Sequence, residues 1–255
     1  TTGGFTLDTV APAVPTIAMV AGDDVINSAE KTAGVTLTGT TATGSTVTVN
    51  GAAATINGTT WAYSLDASAI GVFGEGAETL TVVAMDAAGN TAQTTRNITV
   101  DTVAPTPTIA AVGDGTLDAI EATGSAGVLS VNAAAGDTAV VTLTGESGSV
   151  VKTITGTGSA QAVQLNFADL VTLAADGQSS VTVSTVTTDA AGNASSANTT
   201  GAFTFDISGV APRLTELTST QTTFTADSAG AVDVATLTFT FDTAPIGFEL
   251  SDIHS

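Results

Sequence analysis

Carboxylate and amide side chains recur along this chain at nearly regular intervals, in two short phrases. DTVAP stands at Asp8–Pro12 and Asp101–Pro105 and returns, altered to DISGVAP, at Asp206–Pro212. DAAGN stands at Asp86–Asn90 and Asp189–Asn193. The oxygens of these side chains are the ligands that calcium binds, about six to eight at a time. Because the two phrases recur together in the same order, they predict a repeated structure with cation chemistry at corresponding places.

A third acidic segment occurs twice, early in each repeat. It reads GDDVINSAEK at Gly22–Lys31 and GDGTLDAIEA at Gly113–Ala122. Aligning the two segments places corresponding side chains together: Asp23 with Asp114, Asn27 with Asp118, and Glu30 with Glu121. Gly115 stands where the first segment has Asp24, so the second set lacks one carboxylate.

The charge balance limits the partners of the chain. Of 255 residues, 24 are acidic and 4 basic, which gives a formal net charge of −20. Nucleic acid is excluded as a partner, because phosphate binding depends on Lys and Arg. The same charge opposes docking on anionic lipid, and no apolar run approaches the ~18–20 residues of a membrane span. There is no Cys, so the fold must be stable without disulfides.

Period-2 alternation of apolar and polar residues predicts strands throughout, and no segment favours a helix. Val35–Thr41 and Ser45–Asn50 alternate in this way, and a first strand is expected at Val14–Val20. Asn-Gly pairs at Asn50 and Asn57 predict hairpin turns. The DTVAP copies begin 93 and then 105 residues apart, about the length of one immunoglobulin-like sandwich. We predict an all-β chain of tandem immunoglobulin-like antiparallel β-sandwich domains joined end to end.

The predicted boundaries divide the chain into four parts. Residues 1–9 are the last strand of a preceding repeat, 10–101 and 102–206 are complete repeats, and 207–255 are an incomplete third repeat. The strands expected at Thr236–Phe241 and Phe248–Ile253 lack the later strands that would cover them, and unpaired edges invite pairing with another chain. The chain is therefore expected to be a segment of a longer repetitive protein.

Immunoglobulin-like strand order places the acidic loop, which follows the first strand, at one end of a domain. The DAAGN loop, between the last two strands, lies at the other end. Stacking therefore gathers seven side chains where the first two repeats meet: Asp23, Asp24, Asn27, Glu30, Asp101, Asp189 and Asn193. Lys31 is the one basic residue in these elements, and carboxylates this close repel unless a cation neutralises them. The donor oxygens favour calcium, whereas zinc would need His or Cys.

The same construction predicts a site above the first repeat and another below the second. The upper set is Asp8, Asp86 and Asn90, and the lower set is Asp114, Asp118, Glu121 and Asp206. DAAGN is also an ordinary turn, in which Asp caps through its side chain and Gly or Asn accepts a positive φ. Two copies in phase with the acidic loops and with DTVAP favour the metal interpretation.

The DTVAP junction, the GDD-x-IN-x-x-E loop, the late DAAGN and Trp61 together resemble the bacterial immunoglobulin-like repeats of giant surface adhesins. Those are type I-secreted, repeats-in-toxin-like adhesins of Gram-negative bacteria, and the third segment, TLTFTFDTAPIGFELSDI, is similar to a sister repeat type. The resemblance implies tandem stacking, calcium at the junctions, and an extender that projects a distal ligand-binding domain for adhesion or biofilm formation. It also implies an extracellular location at the bacterial cell surface, with neighbouring repeats of the same chain as partners.

Other functions rest on fewer residues. Catalysis is not expected, because His254 is the sole His and a catalytic pair of acids would not need to recur by repeat. A carbohydrate-binding module would present aromatic side chains, but the strand setting of Trp61 and Tyr63 favours core packing. The remaining alternative is a surface fibre or surface layer, in which the incomplete third repeat pairs with strands of other copies.

Overall fold

The computed structural model describes residues 7–111, 116–174, 178–206, 214–219 and 237–241. Within these residues the chain forms two successive β-sandwiches, each made of a five-stranded and a three-stranded sheet. A two-stranded sheet follows them. The predicted fold class, immunoglobulin-like sandwiches in tandem, is confirmed.

The first sandwich has one sheet in the order β1-β8-β7-β3-β4 and a second in the order β2-β6-β5. Its strands are antiparallel, except that β1 runs parallel to β8. The elements are β1 (Val25–Ile26), α1 (Ser28–Ala33), β2 (Val35–Thr40), β3 (Thr46–Val49), β4 (Ala52–Ala53), β5 (Thr55–Asn57), β6 (Thr60–Leu65), α2 (Ala67–Phe73), β7 (Gly76–Met85) and β8 (Thr91–Val100).

The second sandwich repeats this plan, with sheets β10-β16-β15-β12-β13 and β14-β11-β9. Here β10 runs parallel to β16, as β1 does to β8. The elements are β9 (Thr108–Ala111), β10 (Thr116–Asp118), α3 (Ala119–Thr123), β11 (Leu129–Asn132), β12 (Thr138–Thr144), β13 (Ser149–Thr155), β14 (Ala160–Val163), α4 (Phe167–Leu173), β15 (Gln178–Thr188) and β16 (Asn198–Asp206).

The segment predicted as a first strand, Val14–Val20, runs beside β2 without forming a regular strand. Thr16 N donates to Thr40 O at 2.9 Å, and Ala18 N donates to Thr38 O at 2.8 Å. The chain then crosses to the larger sheet, where β1 pairs with β8. This crossing brings the start of the acidic segment beside the end of β8.

The hairpin predicted at Asn50-Gly51 is present between β3 and β4. Asn50 has φ 47° and Gly51 has φ 85°, the two positive values that the tightest two-residue hairpin turn requires. The second hairpin, between β5 and β6, has its positive φ at Gly58, 63°. Asn57 and Thr60 pair across it, so the turn residues are Gly58 and Thr59.

The expectation that no segment is helical is wrong, because the described residues include four short helices. Each begins at a cap whose side chain accepts a backbone N–H three residues on; the caps are Asn27, Asp66, Asp118 and Asn166. In three of them an acid at that third position bonds back to the cap; these acids are Glu30, Glu121 and Asp169. Such capping boxes are readable in sequence as Asx-x-x-acid, but Glu30 and Glu121 were interpreted there as loop ligands.

Each sandwich buries its own apolar core. In the first, Trp61 is 1% exposed, and its Nε1 donates to Thr16 O at 3.0 Å. The prediction that Trp61 packs in the core is thus confirmed, and this side chain has no face free for stacking on a sugar. In the second core the buried aromatic residues are Phe203 and Phe205, with ring centroids 6.2 Å apart. The two cores are therefore packed differently.

The third predicted repeat is described only at β17 (Leu214–Ser219) and β18 (Leu237–Phe241), which pair antiparallel. β18 coincides with the strand expected at Thr236–Phe241, whereas Phe248–Ile253 lies outside the described residues. Among the residues described, no helix is long and apolar enough to cross a membrane.

Candidate metal centre at the junction of the two repeats

Asp101 is held at the end of β8 by the parallel pairing of that strand with β1. Ile26 pairs with Val100, and Asp101 N donates to Ile26 O at 3.0 Å. The next residue on the β1 side is Asn27, the cap of α1. The strand register therefore places the linker carboxylate beside the start of α1, as the sequence predicted for these two elements.

The DAAGN loop of the second repeat is closed by bonds between its two ends. Asp189 N donates to Asn193 O at 3.1 Å. Asn193 N donates to Asp189 Oδ1 at 2.8 Å, and Asn193 Nδ2 donates to Asp189 Oδ2 at 3.0 Å. Gly192, with φ 89°, supplies the positive φ of the turn. These hydrogen bonds within the loop fix the direction of the Asn193 amide.

Asn193 joins the second repeat to the first. It is 4% exposed, and its Nδ2 donates to Asp101 O at 2.9 Å. Its Oδ1 accepts the N–H of Ser28, the first residue of α1, at 2.8 Å. Both ends of the amide are therefore engaged, one by the linker and one by the first repeat. Asn193 was predicted as a metal ligand; in the structure its oxygen accepts the hydrogen bond from Ser28.

Asn27 and Glu30 form the capping box of α1 at this junction. Asn27 Oδ1 accepts the N–H of Glu30 at 3.0 Å, and Glu30 Oε2 accepts the N–H of Asn27 at 3.0 Å. Glu30 Oε1 accepts no hydrogen bond from the described residues. Glu30 Oε1 is thus left available as an oxygen donor to a cation.

Asp24 has a partner that the sequence interpretation missed. Its two oxygens bind the guanidinium of Arg96, at 2.6 Å from Nε and 2.5 Å from Nη2, and Oδ1 also accepts the N–H of Val20 at 2.9 Å. The Arg96 hydrogen bond, with that of Val20, lowers the pKa of Asp24. Asp24 was expected to face a metal, but the structure uses it to tie the acidic segment to β8. Its neighbour Asp23 accepts the N–H of Val25 through Oδ1 alone, at 2.9 Å.

A further acid, Glu75, holds the linker and was not singled out from the sequence. Its Oε2 accepts the N–H of Thr102 at 2.8 Å, and its Oε1 accepts the hydroxyl of the same residue. These hydrogen bonds lower the pKa of Glu75. Through Glu75, the first repeat thus binds Thr102, the residue directly after Asp101. Nothing in the sequence pattern marked Glu75, because it belongs to none of the recurring phrases.

The predicted upper set repeats the geometry of the junction between the two repeats. Asn90 N donates to Asp86 Oδ1 at 2.9 Å, and Asn90 Nδ2 donates to Asp86 Oδ2 at 3.0 Å and to Asp8 O at 3.2 Å. The hydrogen bond from Asn90 is the main cause that lowers the pKa of Asp86. Asp8, Asp86 and Asn90 are therefore related as Asp101, Asp189 and Asn193 are, which the common motif indicated.

The predicted set below the second repeat is partly described. Asp118 and Glu121 form the same capping box as Asn27 and Glu30, with bonds of 2.8 and 3.1 Å. Asp118 pairs in register with Asp206 across the parallel strands β10 and β16. Asp114, the fourth member, lies outside the described residues. The alignment of the two acidic segments is therefore matched by equivalent local structures.

The oxygen donors at the junction are of the kind that a hard cation binds. They are not, however, already arranged as a metal-binding site. Asp101 Oδ2, Asp23 Oδ2 and Glu30 Oε1 accept no hydrogen bond from the described residues. In the same part of the chain, no three Asp, Glu or His side chains are grouped closely enough to hold a metal ion. Oxygen donors in a negative setting suit calcium, and binding would draw carboxylates and carbonyls together.

Proteins similar to this chain are found among solved structures. No family model matches the chain, and no curated protein matches it. Among solved structures, a Ca²⁺-stabilised adhesin that helps an Antarctic bacterium reach out and bind ice is 30% identical over 88% of this chain and 54% of its own, with a TM-score of 0.46. This chain thus spans about half of that structure.

Two more solved structures are similar. One concerns host cell surface retention of a 1.5-MDa bacterial ice-binding adhesin and is 27% identical over 77% of this chain and 66% of its own, with a TM-score of 0.44. The other is a bacterial immunoglobulin-like domain from the M. primoryensis ice-binding adhesin. The two sequences are 30% identical, and the match covers all of that domain and 36% of this chain, with a TM-score of 0.25. The fold assignment rests on this chain's own strand order.

Proposed function

The chain belongs to the immunoglobulin-like repeats of bacterial adhesins, and we propose that it is an extender segment whose domain junctions calcium stiffens. In this role the repeats separate a distal binding domain from the cell that carries it. The proposal places the repeat boundaries at residues 9, 101 and 206, and the protein at the bacterial cell surface. The neighbours are structural modules of large adhesins, which favours a mechanical role over catalysis.

The observation that carries the proposal is the bonding of Asn193 across the junction. Its amide holds Asp101 O and the N–H of Ser28 at once, and its own loop holds Asp189. Asp101 and Asp189 are thereby fixed near the start of α1. A junction that positions carboxylates from two domains and the linker can respond to a cation, whereas a random linker cannot.

Calcium would supply charge neutralisation and common coordination at this place. Two unit charges 4 Å apart repel by about 1 kcal/mol in water and by about 4 kcal/mol near a protein surface. Asp101, Asp189 and Glu30 are the residues that would hold the cation, with Asp23 as a further donor. Asp24 is left out because the guanidinium of Arg96 already neutralises its charge, and Asn193 because its one oxygen is used by Ser28. Asp189 stays in the set because its oxygens accept only neutral N–H groups of Asn193, which leave its charge uncompensated.

Thermal unfolding tests the calcium part of this proposal. With a dissociation constant near ~0.1 mM and a few millimolar calcium, each site adds roughly 2 kcal/mol by mass action. Differential scanning calorimetry should show a melting temperature several degrees higher in calcium, reversed by chelator. A melting curve that is the same in calcium and in chelator would remove calcium from the account.

The alternatives have less support. Trp61 is buried, and Tyr63 is half-buried and packs against the same core, so neither aromatic residue is presented as a carbohydrate-binding module would require. A fibre built by strand donation depends on residues 207–255, of which only β17 and β18 are described. Cross-linking of dilute chains would detect such association, and an exclusively monomeric sample would count against it.

A further inference from the structure

The chain enters and leaves the first repeat at opposite ends of one strand, β8. The entering chain lies beside the start of β8, because Asn90, directly before that strand, donates from Nδ2 to Asp8 O at 3.2 Å. The leaving chain begins at Asp101, directly after the last residue of β8. A force applied to the two ends of the repeat is therefore directed along β8, whose ten residues span about 33 Å at ~3.3 Å per residue.

The two strands that receive this force run in the same direction. β1 is parallel to β8 and pairs Val25 with Thr99. Thr99 N donates to Asp24 O at 2.8 Å, and Asp101 N donates to Ile26 O at 3.0 Å. Pulling on the entering chain draws β1 backwards along its own axis, while pulling on the leaving chain draws β8 forwards. The bonds between these strands are therefore loaded together in shear, and they do not open one after another.

Arg96, on β8, adds bonds to the entering chain at two places. Its Nε and Nη2 donate to the carboxylate of Asp24 at 2.6 and 2.5 Å, and its Nη1 donates to Ile17 O at 3.4 Å. Asp24 Oδ1 also accepts the N–H of Val20 at 2.9 Å, so the carboxylate closes the crossing from the smaller sheet to the larger one. Bidentate bonds between charged groups are about twice as strong as neutral ones. They lie between the two elements that a pulling force would slide apart.

The second repeat keeps the strand pairing without the ion pair. Its first strand in the larger sheet, β10, is parallel to the last, β16. The fifth residue before Asp101 is Arg96, whereas the fifth residue before Asp206 is Gly201, and Gly115 stands where the first repeat has Asp24. Because glycine has no side chain, the pair is an addition of the first repeat that the fold itself does not require.

We propose that the Arg96–Asp24 ion pair is load-bearing: it slows the unfolding of the first repeat when the chain is pulled from its ends. The inference rests on the proposed function, since an extender between a cell and a distant target carries tension. It concerns bonds within one repeat and not the carboxylates of the junction, so it applies with and without calcium.

A second ion pair supplies the matched control. Lys152 on β13 binds Asp169 of α4 at 2.5 Å, and their side chains are 26% and 15% exposed, against 27% for both Arg96 and Asp24. Among the described strands β13 pairs only with β12, at the edge of its sheet, so pulling on β10 and β16 does not act directly on this pair. Lys152→Gln thus removes an ion pair of similar exposure that lies outside the path of the force.

The test is constant-force spectroscopy of the full chain held by its two ends, first in chelator and then in calcium. The repeats are told apart by the length that each releases, since their periods are 93 and 105 residues. We expect Arg96→Gln to shorten the lifetime of the folded first repeat by about tenfold and to leave the second repeat unchanged. Asp24→Asn, which keeps an oxygen for the Val20 N–H, should act in the same way. Lys152→Gln should leave both lifetimes unchanged.

A second readout separates a load-bearing pair from one that only stabilises the fold. Unfolding rates in urea, extrapolated to water, give the effect of each variant without force. Arg96→Gln should speed unfolding by a larger factor under force than without it. Equal factors with and without force, or equal losses of lifetime in Arg96→Gln and Lys152→Gln, would overturn the inference.

The outcome is distinguishable from that of the calcium proposal. The ion pair is judged in chelator alone, so a chain that ignores calcium can still show the effect of Arg96→Gln. Conversely, unchanged lifetimes in both Arg96→Gln and Asp24→Asn would remove the load-bearing role and leave stiffening of the junction by calcium untouched.

Discussion

Asn193 in the second repeat accepts a hydrogen bond from the backbone N–H of Ser28 in the first, at 2.8 Å and across 165 positions of sequence. The bond joins the last loop of one sandwich to the first helix of its neighbour. Because the same amide donates to Asp101 O at 2.9 Å, a single side chain relates both repeats and the linker. The orientation of the two domains is therefore partly set by neutral hydrogen bonds, before any cation contributes.

Replacing Asn193 by Ala should weaken the junction. The Ser28 N–H and Asp101 O would lose their partner, and buried groups left unpaired cost about 1–3 kcal/mol. Denaturant unfolding should show a less stable second repeat, and amide exchange at Ser28 should accelerate. Asn90→Ala is the matched control, since Asn90 closes the same loop at the far end of the first repeat. If Asn193→Ala leaves the exchange of Ser28 unchanged, the bond across the junction is not formed in solution.

The ion pair of Asp24 and Arg96 should make stability depend on acid pH. The pKa of Asp24 is lowered in the fold, so its ionised form stabilises the native state above the unfolded value of about 3.9. That contribution is lost as pH falls through the lowered folded value. Urea unfolding of wild type and Asp24→Asn should therefore differ at pH 6 and converge towards pH 3. Asn tolerates the positive φ of 68° at this position, and a difference that stays constant with pH would contradict the assignment.

Gly39→Ala should destabilise the first repeat by about 1–3 kcal/mol or more through overpacking. A Cβ at Gly39 would lie 1.9 Å from Thr16 O and 2.7 Å from Trp61 Nε1, the two atoms that hydrogen-bond to each other. Gly71→Ala is the control, because a Cβ there meets only Lys31 Cε at 4.0 Å. In the interior of α2 that change should stabilise, by about 0.5–1 kcal/mol. Equal effects of the two substitutions in thermal unfolding would be inconsistent with the packing around Trp61.

Glu75→Gln should loosen the linker without unfolding either sandwich. Glu75 accepts hydrogen bonds from both the N–H and the hydroxyl of Thr102. The neutral amide of the Gln variant keeps only one accepting oxygen. Hydrogen exchange at the Thr102 amide should become faster in the variant. Thr102→Val, which removes only the hydroxyl, should have a smaller effect, and Glu78→Gln should have none. Protection of Thr102 that survives Glu75→Gln would show that something else holds the linker.

The sequence predicted the repeats and the sandwich fold class. It also predicted that the acidic segment lies near Asp101 and the DAAGN loop. It did so because period-2 alternation and recurring motifs are local signals that a fixed topology converts into neighbours. It missed Arg96, since an ion pair across 72 positions leaves no local trace. Helix α1 was missed because Asn27 and Glu30 were interpreted as ligands, whereas their spacing also caps a helix; α3 was missed for the same reason at Asp118 and Glu121.

Small-angle scattering of the full chain tests the central claim most directly, because stiffening of the junction changes the maximum dimension. Wild type should show a fixed, larger maximum dimension in calcium and a broader, more flexible distribution in chelator. With Asp101 and Asp189 both changed to Asn, the calcium form should be as flexible as the metal-free wild type. The control Glu146→Gln, which neutralises an exposed acid on the β12–β13 turn, should respond normally. If the double variant keeps the wild-type dimension in calcium, or if chelator leaves the wild-type profile unchanged, the junction is not stiffened by calcium through these residues.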